Sequence, residues 1–409
     1  MVANPPAADD DALDEPAVVG CSGTLGPPPQ ATTSATSASA PLAAAPKGRR
    51  ERDARDRIGV NVTLSSTAVP RVLVIDPNAP APAVIAEAAA VLARGGLVAF
   101  PTETVYGLGA RGVVAEDVKK IFAAKERPAG HPLILHVVGE EMARTYASSW
   151  SERASRLARA FWPGPLTLVV PRASSVPDEA TGGLPSVGLR APKHAVAQAL
   201  IRAANVPLAA PSANAHMHVS PTTAAHVVRS LGDRVDLVLD AGPCTHGIES
   251  TVVDATGDVP RVLRAGATTL EMLRAVEPAI VYEAGAVTVS GDAARASPGM
   301  ASKHYAPRAK VVLASRGARV ADAVRTERAR AARVGTIVWS AEARNALDVD
   351  SLVFSVQLPS DATGFARDLF AAFYDADEAK VDVLVVEDVP REEAWYAVAD
   401  RLRRATSAA

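Results

Sequence analysis

The side chains best suited to chemistry follow one short apolar segment. Residues 97–100 are apolar and lie between a pair of glycines and Pro101, a pattern typical of a buried strand. Thr104 and Tyr106 come soon after it, among further glycines. In α/β sheets, ligands usually bind beyond the carboxyl ends of strands, so these residues are candidate ligand contacts. The spacing alone fits a structural glycine-rich loop equally well.

Two pairs of polar residues have a spacing that suits an anion site. Lys125 and Arg127 are two residues apart, so in an extended segment their cationic groups would converge on one anion. Ser212 and Asn214 repeat this spacing after the apolar residues 207–211 and would place a hydroxyl and an amide on one face. The alternatives are a solvated charge pair at a helix end for the first pair and a polar turn for the second.

Two further side chains fit both a structural and a chemical role. His136 lies within the apolar residues 132–138, where a satisfied core histidine is the alternative to a ligand contact. Ser220 precedes Pro221, and the two are the favoured N-cap and first residue of a helix. Because a helix N-terminus offers N–H groups to an anion, Ser220 could combine capping with a phosphate contact.

Composition excludes several classes of protein. The chain has 409 residues, 48% of them hydrophobic, which predicts two or three domains with ample core. A net charge of −2 gives no general attraction for nucleic acid, so we expect no stable RNA binding. No apolar run reaches the ~20 residues that a membrane span needs, so we expect no such span. Cys21 and Cys244 lack CxxC spacing, which argues against structural zinc and fits a reducing cytoplasm. The acidic N-terminus lacks an export signal.

The chain divides into four predicted segments. Residues 1–70 hold nine of the 31 prolines and no aromatic residue, so we predict a disordered tail. Residues 71–283 mix strands and helices, which favours an α/β domain with a mixed twisted sheet. Residues 284–309 are predicted to be a linker. Residues 310–409 alternate strands and helices more regularly, as in a small Rossmann-like domain, but without GxGxxG or histidine.

Eight segments, in order, resemble the YrdC-like family, the threonylcarbamoyl-AMP synthases. They are GGLVAFPTETVYGLGARG, KERPAGHPLILHV, FWPGPLTLVV, SVGLRAPKH, PLAAPSAN, GPCTHGIESTVVD, RVLRAG and SPGMASKHYAP. The last segment marks the longer, two-domain members of the family. There it folds over the active site, and such a lid would exclude water from a hydrolysable product.

The resemblance implies a reaction. L-Threonine, bicarbonate and ATP, the last bringing Mg²⁺, would give L-threonylcarbamoyladenylate and pyrophosphate for the t6A modification of tRNA. A downstream tRNA threonylcarbamoyl transferase complex would use the product. Transfer at phosphorus depends mainly on positioning and on cations near the phosphate oxygens, so no covalent nucleophile is required.

The resemblance also implies roles for individual residues. Those implied to be catalytic are Lys125, Arg127, Ser212 and Asn214. Those implied to bind ATP are Arg127, His131, Ser186, Ser212, Ser220, Arg264 and Tyr305. Those implied to bind threonine are Thr104, His136, Arg190, the backbone at Ala210, and Ser250. A planar guanidinium such as that of Arg190 suits a carboxylate better than an ammonium does.

The sequence departs from the family pattern at several positions. His131 stands where the family usually has Asn, and its charge would vary with pH. Ala265 replaces the usual proline of LRPG. His216 and His218 follow SAN, where small residues are typical, but two histidines with no third ligand in register are weak grounds for a metal site, and we predict none.

Two other functions fit a YrdC-like module. One is a double-stranded-RNA-binding protein without catalysis, which the near-neutral charge and the presence of both polar pairs disfavour. The other is a carbamoyltransferase of the hydrogenase-maturation type, which would carry acylphosphatase or zinc-finger segments that this sequence does not show.

Overall fold

The computed structural model describes residues 70–282, 305–330 and 333–406, which belong to one compact unit. We call residues 70–282 the N-terminal lobe and residues 310–406 the C-terminal lobe. The predicted tail, apart from Pro70, and the predicted linker before Tyr305 lie outside the described residues. The bounds of the four predicted segments therefore stay predictions.

The N-terminal lobe is built on one mixed sheet of ten strands. The strands are β1 (Arg71–Val74), β2 (Val98–Phe100), β3 (Gly107–Arg111), β4 (Ile134–His136), β5 (Leu166–Pro171), β6 (Ser186–Arg190), β7 (Leu208–Ala209), β8 (Leu237–Asp240), β9 (Thr251–Asp254) and β10 (Arg261–Arg264). Their order across the sheet is β1-β8-β2-β3-β7-β4-β6-β5-β9-β10. Parallel and antiparallel neighbours alternate irregularly, which confirms the mixed sheet predicted from the sequence.

Helices cover this sheet through their apolar faces. They are α1 (Pro82–Ala93), α2 (Ala115–Lys125), α3 (Glu140–Arg144), α4 (Glu152–Phe161), α5 (Asp178–Thr181), α6 (Ala195–Ala204), α7 (Ala224–Leu231) and α8 (Leu270–Val276). In α2, for example, Val118, Ile121 and Phe122 are buried at helical spacing. The short α3, α5 and α8 were not predicted, because four to seven residues show too little periodicity.

The C-terminal lobe is a regular parallel α/β sheet. Its strands are β11 (Lys310–Ala314), β12 (Val334–Val338), β13 (Phe354–Gln357) and β14 (Val383–Glu387), in the order β11-β14-β12-β13. Its helices are α9 (Arg319–Arg328), α10 (Ala341–Ala346), α11 (Ala362–Glu378) and α12 (Tyr396–Thr406). All neighbouring strands are parallel, which confirms the predicted Rossmann-like architecture.

The structure decides two alternatives that the sequence left open, at residues 107–111 and at Lys125, and it shows that one local prediction, at Ser220, was wrong. The glycine-rich residues after Tyr106 form strand β3, because pairing with β2 and β7 supplies their hydrogen bonds. Ser220 does not cap a helix. Helix α7 begins at Ala224, and the Thr223 hydroxyl caps it by accepting a hydrogen bond from the backbone N–H of His226. Lys125 is not in an extended segment but ends α2, which terminates at left-handed Glu126 with a φ of 53°.

The two lobes share an apolar interface. Val105, Val219 and Ile248, from loops of the N-terminal lobe, pack in one buried cluster with the core of the C-terminal lobe. The hydroxyl of Tyr374 on α11 donates to the Val219 carbonyl at 2.9 Å. The C-terminal lobe therefore supports the loops that follow strands β2 and β7.

Candidate active site

A cavity lies where several strands of the large sheet end. Its walls come from the carboxyl ends of β4, β6 and β10, from the loops after β2 and β7, and from the segments just before β9 and β11. The residues that line it are Thr102, Thr104, Val105, Gly107, Arg127, Ile134, His136, Arg190, Ala210, Pro211, Ser212, Glu249, Ser250, Arg264 and Tyr305. The sheet thus gathers side chains that are more than 200 positions apart in the sequence.

Arg190 is fixed on one side of the cavity by buried partners. Its Nη2 donates to Glu103 Oε1 at 2.8 Å and to Thr104 Oγ1 at 2.9 Å. Thr104 is itself held by Thr102, whose hydroxyl lies 2.8 Å from the Thr104 hydroxyl. Its Nε donates to the Gly164 carbonyl at 3.4 Å. With Nη2 and Nε occupied, Nη1 is the part of the guanidinium that can face a ligand in the cavity. This geometry suits recognition of a carboxylate.

His136 stands beside Arg190 on the neighbouring parallel strand. The two residues are register partners in β4 and β6. Burial, together with the nearby Arg190 charge, lowers the pKa of His136 to about 3. Its Nδ1 has no hydrogen-bond partner among the described residues. The cavity therefore meets a neutral imidazole with one ring nitrogen unused. The Ala210 N–H donates to the Ile134 carbonyl, and Ala210 lines the same cavity.

Arg264, at the end of β10, and Ser250, just before β9, also line the cavity. Arg264 Nε and Nη2 donate to the Ser250 carbonyl at 3.1 and 2.9 Å, and Nη2 also reaches the Ser250 hydroxyl at 3.2 Å. That hydroxyl lies 2.8 Å from the hydroxyl of Thr167. Burial lowers the pKa of Arg264, although it remains a cation at neutral pH.

Glu249 is the acidic member of the cavity lining. Its Oε1 accepts a hydrogen bond from Ser220 at 2.5 Å, and its Oε2 accepts one from Arg401 Nε at 2.8 Å. Tyr305 lines the cavity next to this group, and its ring lies 5.7 Å from that of Phe370 in α11. Burial and the Glu249 charge raise the pKa of Tyr305, so its hydroxyl keeps its proton.

Lys125 does not line the cavity but bonds to the backbone of the other polar pair, Ser212 and Asn214. Its ammonium group is buried and donates to the carbonyls of Ser212 and Asn214. Burial, with the charges of Arg127 and Arg234, holds the pKa of Lys125 well below its usual value. Arg127 and Ser212 line the cavity, whereas the Asn214 amide donates to the carbonyls of Ala215 and His218.

Nine of the fourteen residues singled out from the sequence line this one cavity: Thr104, Arg127, His136, Arg190, Ala210, Ser212, Ser250, Arg264 and Tyr305. The other five lie outside its lining: Lys125, His131, Ser186, Asn214 and Ser220. His131 is buried near His216, with ring centroids 5.8 Å apart. Ser186 begins β6, at the opposite end from Arg190. The roles assigned to all fourteen remain predictions.

Sequence reasoning missed three side chains that complete the arrangement. Glu103 and Glu249 stand within quoted motifs, next to assigned residues, so their position was a usable signal. Arg401 gave none, because it lies on a C-terminal helix with other arginines and reaches Glu249 across 152 residues.

Among residues 70–282, 305–330 and 333–406, no group of three or more His, Cys, Asp or Glu side chains is placed to hold a metal ion. No helix in the same ranges combines the length and apolar character that crossing a membrane requires.

The fold and the cavity define an α/β protein with three arginines, Arg127, Arg190 and Arg264, in the lining of one cavity. Comparison with known proteins gives the family. Residues 90–266 match a family model described as "Telomere recombination", and residues 268–407 match one described as "Threonylcarbamoyl-AMP synthase, C-terminal domain".

Relatives and a solved structure agree with these matches. Threonylcarbamoyl-AMP synthase of Pyrococcus abyssi is 39% identical, over 78% of this chain and 93% of its own length. That of Bacillus subtilis is 38% identical, over 78% and 92%. The crystal structure of P. abyssi Sua5 with L-threonine superposes with a TM-score of 0.76 at 37% identity, over 82% of this chain and 97% of the other. The chain belongs to the threonylcarbamoyl-AMP synthase family, as the sequence predicted.

Proposed function

We propose that this protein makes L-threonylcarbamoyladenylate and pyrophosphate from L-threonine, bicarbonate and ATP. One observation carries the proposal. A single cavity combines Arg190, whose guanidinium suits a carboxylate, with two further arginines, Arg127 and Arg264, and with the hydroxyls of Ser212 and Ser250. Such a site can hold an amino acid and a nucleotide side by side.

The threonine would bind on the Arg190 side. Its carboxylate would take the remaining guanidinium N–H groups, and its hydroxyl would meet polar groups at Thr104, His136 or the Ala210 carbonyl. The proton lost by the threonine ammonium can convert bicarbonate to carbon dioxide and water. The free amine then adds to carbon dioxide, and loss of one further proton to solvent gives a carbamate. Because His136 is neutral at neutral pH, it can accept or donate a hydrogen bond there without adding a charge.

The ATP would lie toward Arg127, Ser212 and Arg264. A carbamate oxygen then attacks the α-phosphorus, the bond from phosphorus to the bridging oxygen breaks, and pyrophosphate leaves with the electron pair. Cationic groups near the phosphate oxygens stabilise the charge that develops. Tyr305 would close the nucleotide side of the cavity and limit access of water to the adenylate.

Mg²⁺ would enter with ATP rather than through a site built by the protein. The lining contains one carboxylate, that of Glu249, and its oxygens already accept from Ser220 and Arg401. The phosphates of ATP and water would therefore supply most ligands of the ion. The cytoplasmic location and the use of the product by a tRNA threonylcarbamoyl transferase complex belong to the same proposal.

Pyrophosphate release tests the proposal. We expect release from ATP only when threonine and bicarbonate are both present, with serine a poor substitute. Release with carbamoyl phosphate alone would favour a carbamoyltransferase instead. RNA binding without release would favour a binding module.

Two variants test the assignment of the cavity. Arg127→Ala and Ser212→Ala should abolish release while leaving the fold intact, as judged by circular dichroism. Arg159→Ala is the matched control, because Arg159 pairs with Glu152 on an exposed face of α4, and it should release pyrophosphate at the normal rate. Near-normal rates in either cavity variant would contradict the assignment.

A further inference from the structure

The C-terminal lobe contributes one buried charge to the border of the cavity. The Arg401 side chain on α12 is 0% exposed and donates from Nε to Glu249 at 2.8 Å. Its Nη1 donates to the Ala265 carbonyl at 2.9 Å. Its guanidinium also lies over the ring of Tyr305, 5.0 Å from the ring centroid. Arg401 therefore contacts three segments that border the cavity.

The orientation of this ion pair matters. Glu249 lines the cavity, whereas Arg401 stands behind it. A bare carboxylate at that position would repel the phosphates of a nucleotide, and in a buried site this repulsion is weakly screened. The cation behind Glu249 offsets the repulsion, while the bond from Ser220 fixes the other carboxylate oxygen.

The charges of Glu249 and Arg401 also act on neighbouring side chains of the cavity. Arg264 and Tyr305 are close enough that the charges of Glu249 and Arg401 act on them in opposite directions. Asp400, next to Arg401 in sequence, accepts from Arg401 Nη1 at 3.2 Å and keeps the guanidinium oriented. The wall is thus one connected network of charges that spans both lobes.

We propose that Arg401 is a positioning residue for ATP. It neutralises Glu249 and holds Glu249 and Tyr305 in the nucleotide side of the cavity, without touching the substrate itself. The C-terminal lobe is then part of the nucleotide site and not only a support for its loops. This inference rests on the proposed function, since it takes ATP as the ligand.

The proposal predicts effects of opposite sign for the two partners. Removing the cation leaves an uncompensated carboxylate facing an anion, so ATP should bind more weakly. Removing the carboxylate charge leaves an uncompensated cation, so ATP should bind more tightly. In Glu249→Gln the amide can still donate to Ser220 while its oxygen accepts from Arg401, so the local geometry is kept. A purely structural ion pair would not give opposite signs.

The test is calorimetric titration with ATP and Mg²⁺ in the absence of threonine, which prevents turnover. We expect Arg401→Met to weaken ATP binding about tenfold or more, and Arg401→Met with Glu249→Gln to regain most of the loss. Threonine affinity, measured separately, should stay within about twofold in both, because Arg190 is untouched. Arg274→Ala is the matched control: it breaks another Arg–Glu pair between the lobes, with Glu393, away from the cavity, and should leave ATP affinity unchanged.

Each outcome decides the inference. Unchanged ATP affinity in Arg401→Met, or no recovery in the double variant, would overturn it while the proposed function stands. Failure of the unaltered protein to bind ATP would overturn both. If Arg401→Met does not fold and so binds no threonine, Glu249→Gln decides alone. Tighter ATP binding, about threefold, supports the proposal, and unchanged or weaker binding refutes it.

Discussion

Two buried Arg–Glu pairs border the cavity, and they face it in opposite ways. The pairs Arg190–Glu103 and Arg401–Glu249 have the same N–O distance, 2.8 Å, and are almost equally buried. In the first pair the arginine lines the cavity and the glutamate stands behind it. In the second pair the glutamate lines the cavity and the arginine stands behind it.

This difference shows that a buried Arg–Glu pair can present either its cation or its carboxylate to a cavity. Arg190 can offer its charge to a ligand, because Glu103 takes only part of its fork. The Glu249 charge would be offset toward a ligand by Arg401, which also pairs with Asp400. The first arrangement suits the recognition of a single carboxylate, and the second suits a wall against which a large polyanion can lie.

The largest expected effect comes from breaking the first pair. Glu103→Ala should lower the free energy of unfolding by about 4 kcal/mol, because it leaves Arg190 buried without its carboxylate. Urea denaturation measures the change. Glu152→Ala, which removes the exposed partner of Arg159, is the control and should cost little. A loss below about 1 kcal/mol for Glu103→Ala would mean that this pair does not hold Arg190 in place.

The next effect separates charge from shape at the same position. Arg190→Lys keeps the cation beside Glu103 but loses the planar fork, so we expect threonine to bind about tenfold more weakly. ATP affinity should not change, because strands β5 and β9 separate Arg190, at the end of β6, from Arg264, at the end of β10. Calorimetry with each ligand measures both. Equal losses for threonine and ATP would contradict the division of the cavity into two sides.

The sequence predicted whichever features were encoded locally. The predicted buried strand at residues 97–100 contains β2, and the mixed sheet agrees with the prediction, because apolar runs and flanking turn residues mark such strands. Nine of the fourteen candidate residues meet in the cavity because they stand at the ends of strands and in the loops beside them.

What the sequence did not predict depends on long-range contacts. The direction of the Lys125 side chain follows from the left-handed turn at Glu126 and from carbonyls almost 90 residues away. The Ser220 hydroxyl turns to Glu249 because Thr223 already caps α7. No local pattern distinguishes Arg401 from its neighbours Arg403 and Arg404.

A smaller effect is the pH dependence of stability that His136, the neighbour of Arg190, should cause. The pKa of His136 is about 3 in the folded protein, below its usual value of 6.5. Between these values the unfolded chain binds a proton that the folded protein does not, so stability falls as pH drops from 6.5 toward 3. His136→Gln should flatten this dependence by up to about 1.4 kcal/mol per pH unit. Urea denaturation at several pH values tests it. An unchanged slope would show that His136 is protonated in the folded state.

The smallest expected effect concerns Thr223 and Ser220. Comparing their alanine variants separates the capping of α7 from the support that Ser220 gives to Glu249. Thr223→Ala removes the N-cap of α7 and should cost about 1 kcal/mol of stability, with ATP affinity unchanged. Ser220→Ala should cost a similar amount through the lost bond to Glu249, but it should also weaken ATP binding, because the carboxylate at the nucleotide side is no longer fixed. Thermal unfolding and ATP titration of both variants give the comparison. If Thr223→Ala impaired ATP binding as much as Ser220→Ala, the start of α7 itself would belong to the nucleotide site, and the contrast between the two pairs would have to include that helix.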